Sequence, residues 1–513
     1  LPHPRRRVDD ARVSDTTVDG PATPARPDMR AHVAGTWAGV IAALLFGLLT
    51  DAVVRGRPGL GLTVGTWFAV ASLVVLARPR AVAWPFLAAA AALGIFFTVR
   101  DSPVLLVLDL LGAAALLCVA ATFATVGAPA RSTARSYLAR SLLEPVAAIP
   151  DGLHSLAGPP ARELTGKASA RAIARAAIVI VPVATILTVL LGSADPVFRR
   201  FVHAPSVDPS IWPPHLAAIA LGAVALATLV AIGLRDPSGA VDAAARPVRA
   251  GWARTAEWAG LLAVVDVLFA VFVAIQFTVF FGGRTHVLAQ QGLTYAQYAR
   301  GGFWQLLGAT AIAGSVLGFG WLALPQPAPA RARRLYRVLA WILLALLGVV
   351  LVSAFRRLSL YENAYGLTWL RVLVHATIVA LGVLFVCVAV AIGLRRASWL
   401  PAAAVAIVAT SVLALNVANL DARIASANIA RAQAGHPLDP VTLRALSADA
   451  AGPIAASLST LDARDRTIAT SVLACLGPER LGDDGWASFN LGRTRAADVL
   501  EGLDLPACSY PFG

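Results

Sequence analysis

Two aspartates, Asp266 and Asp109, stand inside long apolar runs of this 513-residue chain. A carboxyl at membrane depth costs about 2.5 to 3.5 kcal/mol on insertion scales, and it is the group that exchanges a proton or holds a cation there. Asp266 falls near the middle of its run with Gln276 further along it, and Asp109 lies closer to one end of its own. Two readings of Asp266 stay open: a proton, cation or Arg partner, or a protonated, hydrogen-bonded carboxyl that holds helices together. Arg371 and His375 are four residues apart, which puts them on one helix face, and Asn416, Asn419 and Arg423 repeat at spacings of three and four. With Asp195, Gln305, Arg356, Arg357, Tyr361 and Glu362 they form a polar layer at one membrane boundary. That layer reads either as an outward-facing binding cavity or as side chains snorkelling from ordinary helix ends, although Asn416 and His375 lie too deep for snorkelling.

The elements that carry these residues are membrane spans. A hydrocarbon core about 30 Å thick needs roughly 20 apolar helical residues, and eleven stretches qualify: 34–54, 60–77, 81–99, 103–127, 172–192, 214–234, 257–281, 303–323, 335–355, 369–394 and 400–419. Composition agrees, with 58% hydrophobic residues, 14% charged residues and a mean hydropathy of +0.71. The fold class is therefore all-α, a polytopic transmembrane bundle with a small helical region after it. Trp residues near the span ends, Trp369 among them, read as interfacial belts, and Gly314 with Gly318 has the spacing of a close helix contact.

Charge orients the bundle. With residues 1–32 taken as a polar, disordered cytoplasmic tail, the alternating intervals collect 25 Lys and Arg on the inner side and 10 on the outer. The positive-inside rule then puts the N-terminus in the cytoplasm, and an odd span count puts residues 420–513 outside. The expected organisation is the tail, a four-helix region 33–127, a cytoplasmic or interfacial loop 128–171, a seven-helix core 172–419 and the outer segment 420–513. That segment reads as short helices at 420–434, 441–448, 453–458, 461–476 and 493–502, broken by Asp439-Pro440 and Gly477-Pro478. Its two cysteines, Cys475 and Cys508, either pair in an oxidising compartment or fall together by chance. No cleavable signal is expected, since the first apolar run exceeds the length of a signal core.

The net charge of +14 does not point to nucleic acid, because Arg follows the loops rather than one stripe or basic helix. Neither Gly-x-Ser-x-Gly, His-Glu-x-x-His, a phosphate-binding Gly-Lys-Ser/Thr loop nor Cys-x-x-Cys occurs. No cofactor and no metal are expected, and the partners expected are the lipid bilayer and a small molecule or envelope protein.

Several separate motifs resemble one known family. Gly192-Ser193-Ala194-Asp195-Pro196-Val197-Phe198, Asp266-Val267-Leu268-Phe269 with Gln276, and Thr294-Tyr295-Ala296-Gln297-Tyr298-Ala299-Arg300 leading to Trp304-Gln305 are the first. Tyr361-Glu362-Asn363-Ala364-Tyr365-Gly366 with Arg371 and His375, Asn419-Leu420-Asp421-Ala422-Arg423 with Asn428, and Leu446-Ser447-Ala448-Asp449-Ala450 extend them. Together they resemble the bacterial membrane family called domain of unknown function 4173, related to 4153, over about residues 170–500. The chain departs from that pattern in carrying Gly301 after Arg300. The resemblance implies a multi-span bacterial cell-membrane protein without an assigned reaction. Tyr295, Tyr298 and Arg300 are expected on a short interfacial helix, either closing over the polar layer or anchoring at headgroups.

Three functions follow. The first is a non-enzymatic protein that senses or supports the envelope or binds a ligand at its outer face. The second is a proton-coupled carrier using Asp266, and the third a transferase acting on a lipid-linked phosphate with Glu362 as base.

Overall fold

The computed structural model describes residues 37–126, 145–146, 148–156, 212–234, 252–281, 310, 312–318, 329–476, 481 and 485–508. Among them every regular element is helical. The long helices are α1 (Trp37–Arg55), α2 (Leu60–Ser72, continued by a π-helical turn Leu73–Ala77), α3 (Trp84–Val99), α4 (Pro103–Val126), α6 (Trp212–Leu234), α7 (Trp252–Phe281), α8 (Ala330–Tyr365), α9 (Trp369–Leu394) and α10 (Leu400–Val417), with the short α5 (Ile149–Leu156) before α6. Eight helices among the described residues are long and apolar enough to cross a membrane, and α7 carries a shorter apolar stretch at Ala259–Ala274. Leu44, Leu48, Val107, Leu111, Leu268 and Val271 are exposed on these helices. Water would penalise such faces and lipid tails do not. The chain is an all-α, multi-pass membrane protein. The expected span 172–192 and most of 303–323 lie outside the described residues.

Two large apolar cores, with two small clusters beside them, hold the described part of the bundle. One joins α2, α3 and α4 with α6 and α10, around Leu73, Leu87, Leu93, Phe123 and Leu226. The other joins α7, residues 313 and 317, α8 and α9 around Leu262, Leu343 and Leu347. The α1–α6 crossing depends on glycine: a Cβ on Gly222 would run into the Thr50 side chain, and one on Gly47 into the Ile219 carbonyl. Gly314 faces the Phe385 ring and Gly318 faces open space, so that expected close helix contact is absent between these two glycines and the described residues.

Contacts fix the direction of the helices. His215 at the start of α6 meets Asp51 near the end of α1, while Gly233 at the end of α6 packs on Ala77. Arg80 donates to the Ala124 carbonyl, so α4 ends beside Ala77 and Arg80. The turns 56–59, 100–102, 366–368 and 418–419 lie at the other end, here termed the junction.

At the junction sits a helical cap: α11 (Leu420–Gln433), α12 (Pro440–Arg444), a 3-10 turn Ala448–Ala450, α13 (Ala451–Ser457), α14 (Ala463–Ala474) and α15 (Leu491–Glu501). Its core of Ile424, Leu443, Ile454, Ile468 and Leu473 continues onto Leu367, Trp369 and Val372. The expected helix at 441–448 is instead two short pieces, since the Ser447 hydroxyl accepts from the Asp449 amide and starts a new turn. Cys475 and Cys508 form a disulfide.

Another difference is functional. The ninth expected span stops near residue 355, but α8 continues to Tyr365, where Gly366 ends it at φ +80°. Arg356, Arg357, Tyr361 and Glu362 therefore stand on a helix and not in a loop. A Cβ on Gly366 would run into Asn428, whose side chain bonds both backbone groups of Leu367 at 2.9 and 2.8 Å and docks α11 on the α8–α9 turn.

Candidate functional site

The junction is assembled from polar groups far apart in sequence. α3 ends at Val99 and Pro103 opens α4, which leaves Arg100, Asp101 and Ser102 as a tight connector. The Asp101 carboxylate accepts from Arg493 Nη1 at 2.6 Å, and the Asp101 amide donates to Asp449 Oδ2 at 2.9 Å. Arg100 Nε donates to the Asn416 carbonyl at 2.9 Å, and its Nη1 lies 4.0 Å from Asp449. Asp421 accepts from Ser447 Oγ at 2.7 Å and from Trp369 Nε1. Trp369, expected as a belt anchor, is thus a hydrogen-bond donor to the cap. Asn490 caps α15 and also donates to the carbonyls of Phe97 and Arg100 at 3.0 and 2.8 Å. Arg493, 5% exposed, reaches the Pro58 carbonyl at 3.1 Å and that of Ser488 as well.

Burial dominates the acidities here. Desolvation pushes the Asp449 carboxyl up to about 6, against the opposing Asp101 amide and the Arg100 charge, with Asp421 and Asp101 adding in the same upward sense. Asp421 and Asp101 are raised by the same cause, offset at Asp421 by Ser447 and Trp369 and at Asp101 by Arg493.

A cavity of about 530 Å³ opens between this connector and the cap. Among the described residues, Arg57, Arg100, Arg444 and Arg493 line it with Asp101 as the one carboxylate, beside the apolar Leu106, Leu446, Leu476 and Leu481. Cationic forks next to an apolar wall suit an anionic group carried on an apolar body. Among the described residues no three His, Cys, Asp or Glu are grouped to hold a metal ion.

The residues singled out from sequence divide among several places. Asn416 is fully buried and donates to Asp109 Oδ1 at 2.7 Å, joining α10 to α4. Asp266 is 5% exposed on α7, and neither carboxylate oxygen has a hydrogen-bond partner among the described residues. Gln276 is on the same helix, but its side chain lies outside the described residues, as do Asp195, Tyr295, Tyr298, Arg300 and Gln305 altogether. Arg371 lies 4.5 Å over the Tyr361 ring and donates to the Tyr365 and Gly366 carbonyls. His375, one turn along α9, places Nδ1 3.0 Å from Glu362 Oε1 and Nε2 3.4 Å from Ser359 Oγ. Arg356 is exposed. Asn419 takes a left-handed backbone at φ +47° between α10 and α11, and it lines a shallower recess with the exposed Arg423. Among the described residues, Asn416 thus pairs with Asp109, Glu362, Arg371 and His375 gather with Tyr361 between α8 and α9, and Asn419 shares its recess with Arg423.

Sequence reasoning passed over Arg100, Asp101 and Arg493, which read as ordinary loop and surface charges. It also passed over Ser359 and the Asp51–His215 pair at 2.6 Å. The motifs around Asp421 and Ser447-Ala448-Asp449 contained the signal for the junction, without saying what those residues touch.

A family model described as a domain of unknown function (DUF4153) matches residues 87–457, from α3 through α13. No curated protein and no solved structure matches the chain.

Proposed function

The chain belongs to the family of the domain of unknown function (DUF4153), and we propose that this member binds an anionic amphiphile at the outer face of the cell membrane, in the cavity between bundle and cap. The observation that carries this reading is the cavity's lining, which among the described residues sets four Arg against one Asp beside apolar side chains. Orientation rests on two further observations. Arg331, Arg333, Arg334 and Arg337 crowd the α8 end away from the junction, as the positive-inside rule asks of a cytoplasmic end. The Cys475–Cys508 disulfide belongs to the cap and fits an oxidising exterior. The related family 4173 remains the finer reading of the motifs around Asp266 and Tyr361.

The test is binding of dodecyl phosphate to the full-length protein in a neutral detergent, with dodecyl maltoside as the uncharged comparison. Saturable binding that weakens about tenfold in Arg444→Ala and in Arg57→Ala supports the proposal. Equal binding by wild type and both variants overturns it. A proton-coupled carrier is the second reading, favoured by Asp266, whose buried oxygens lack partners among the described residues. It requires that Asp266→Asn abolish proton-driven uptake in vesicles while removal of the cap leaves uptake intact.

A further inference from the structure

α8 and α9 face each other just past the apolar part of α8, and three side chains meet there in an order that has chemical meaning. Glu362 Oε1 lies 3.0 Å from His375 Nδ1, and His375 Nε2 lies 3.4 Å from Ser359 Oγ. The Glu362–His375 contact is a close charge pairing without hydrogen-bond geometry, and Glu362 Oε1 is buried with no other partner among the described residues; a small rotation of the carboxylate onto Nδ1–H would leave Nε2 as the base that takes the Ser359 hydroxyl proton. The Phe355 ring also packs against the imidazole, tilted by 53° at a centroid distance of 4.6 Å, and limits its rotation. Ser359 and Glu362 are three residues apart on one face of α8, so one helix presents nucleophile and orienting acid together to a histidine on the next.

Depth supplies the substrate. The apolar run of α8 ends at Phe355 and is followed by Arg356 and Arg357. At 1.5 Å rise per residue Ser359 stands about 6 Å beyond Phe355, within the interfacial layer between hydrocarbon and headgroups. Ester carbonyls of membrane lipids occupy that layer. Arg356 is exposed one turn before Ser359, with no hydrogen bond to any described residue, and its guanidinium is available to a carbonyl oxygen or a neighbouring phosphate. Ser359 itself is half-buried, and its hydroxyl now donates to the Phe355 carbonyl at 3.0 Å, a bond that rotation about the Cα–Cβ axis exchanges for His375.

We propose that Ser359, His375 and Glu362 form a nucleophilic site for acyl transfer from membrane-lipid esters. Ser359 Oγ forms a bond to the ester carbonyl carbon as its proton passes to His375 Nε2. The carbon–oxygen bond to the lipid alcohol then breaks, and that alcohol leaves with the proton from His375. Water, or a second alcohol, gives its proton to His375 as its oxygen attacks the acyl-serine. The acid or new ester departs, and the proton returns to Ser359. Nothing is oxidised or reduced, and the net change is ester plus water giving acid plus alcohol, or an exchange of alcohols. Ser359 and His375 are the catalytic residues, and Glu362 is a positioning residue. The inference does not depend on what the Arg-lined cavity binds.

The experiment uses the full-length protein in phosphatidylethanolamine and phosphatidylglycerol vesicles and a long-chain alkyl fluorophosphonate as probe. The expected result is an adduct on Ser359 found by peptide mass spectrometry, absent in Ser359→Ala and formed at least 100-fold more slowly in His375→Gln. Glu362→Gln slows it about tenfold and Glu362→Asp recovers part of the loss, a rescue that a packing role for Glu362 would not give. Ser359→Cys gives a second measurement, since its alkylation by iodoacetamide should slow when His375→Gln is added. No Ser359 adduct at concentrations that label a membrane serine esterase in the same vesicles overturns the proposal, as does an adduct formed equally fast in His375→Gln.

Discussion

The carboxylates at the junction are buried or half-buried and those within the bundle are buried, yet they are used differently. Asp101, Asp421 and Asp449 each touch polar partners from separate parts of the chain: Arg493 and the Ala448 amide for the first, Trp369 and Ser447 for the second, the Asp101 amide and Arg100 for the third. In the bundle Asp109 has one donor, Asn416, and Asp266 has none among the described residues. Desolvation penalises all five, so burial alone does not say what a carboxylate is for. The number and origin of its donors does. Asp101 and Asp449 tie the α3–α4 connector to the cap, Asp421 ties the start of α9 to the cap, Asp109 joins two helices of the bundle, and Asp266 joins nothing described.

Breaking the junction should therefore have the largest effect. Arg493→Ala leaves the half-buried Asp101 without its cation and also removes the bond to Pro58, and the loss of one partner of such a pair costs about 3 kcal/mol. The expected outcome is early melting of the cap and rapid tryptic cleavage within α11–α15, with the bundle still extracted intact. If the cap melts as in wild type, the junction pair carries little of the docking. In the bundle, Asn416→Leu strips the one donor from Asp109 and should cost about 1 to 3 kcal/mol by thermal unfolding in detergent. Adding Asp109→Leu should restore most of that loss, because no carboxyl is then left unpaired.

Much of this architecture was legible from sequence, for a physical reason. Apolar runs of about 20 residues are local signals, and span edges such as 60–77, 103–127 and 369–394 need no knowledge of neighbours. The junction depends on which loops share one end of the bundle, and Arg100, Asp101 and Arg493 carry no mark of that in their own surroundings. Asn416 was legible as a site because an amide that deep requires a partner, although the partner, Asp109, lay in another span. The extension of α8 to Tyr365 was hidden because its last turns are amphipathic and charged rather than apolar. Hence Glu362 read as a loop residue beside His375, and Ser359 drew no notice at all.

Asp266 sharpens the contrast by reversing its sign. Asp266→Leu removes a buried carboxyl with no described donor, so stability should rise by about 1 kcal/mol, whereas Asp109→Leu alone should lower it by leaving the Asn416 amide with its bond to the Val412 carbonyl alone. Equal destabilisation by both would mean that Asp266 has a partner outside the described residues.

An effect of similar size is a dependence of cap docking on pH. Asp449 in the folded chain titrates at about 6 rather than at its ordinary 3.8, and Asp101 and Asp421 are displaced in the same direction. A carboxyl whose folded value is raised binds more protons in the native state than in the unfolded one across that interval. Stability is then present in full below the unfolded value and is lost as pH rises through the folded value, by linkage. The cap should be held more firmly at pH 5 than at pH 7.5, opposite to the behaviour of carboxylates whose ion pairs dominate. Hydrogen exchange of the α11–α15 amides, corrected for the intrinsic rate, should slow roughly tenfold at the lower pH. Asp449→Asn should flatten most of the difference, since an amide in that place keeps the bond from Asp101 without a charge to desolvate. Faster exchange in acid would instead mean that the Arg493–Asp101 and Arg100–Asp449 attractions outweigh the desolvation they offset, and the junction would then be an electrostatic clasp rather than a buried polar seam.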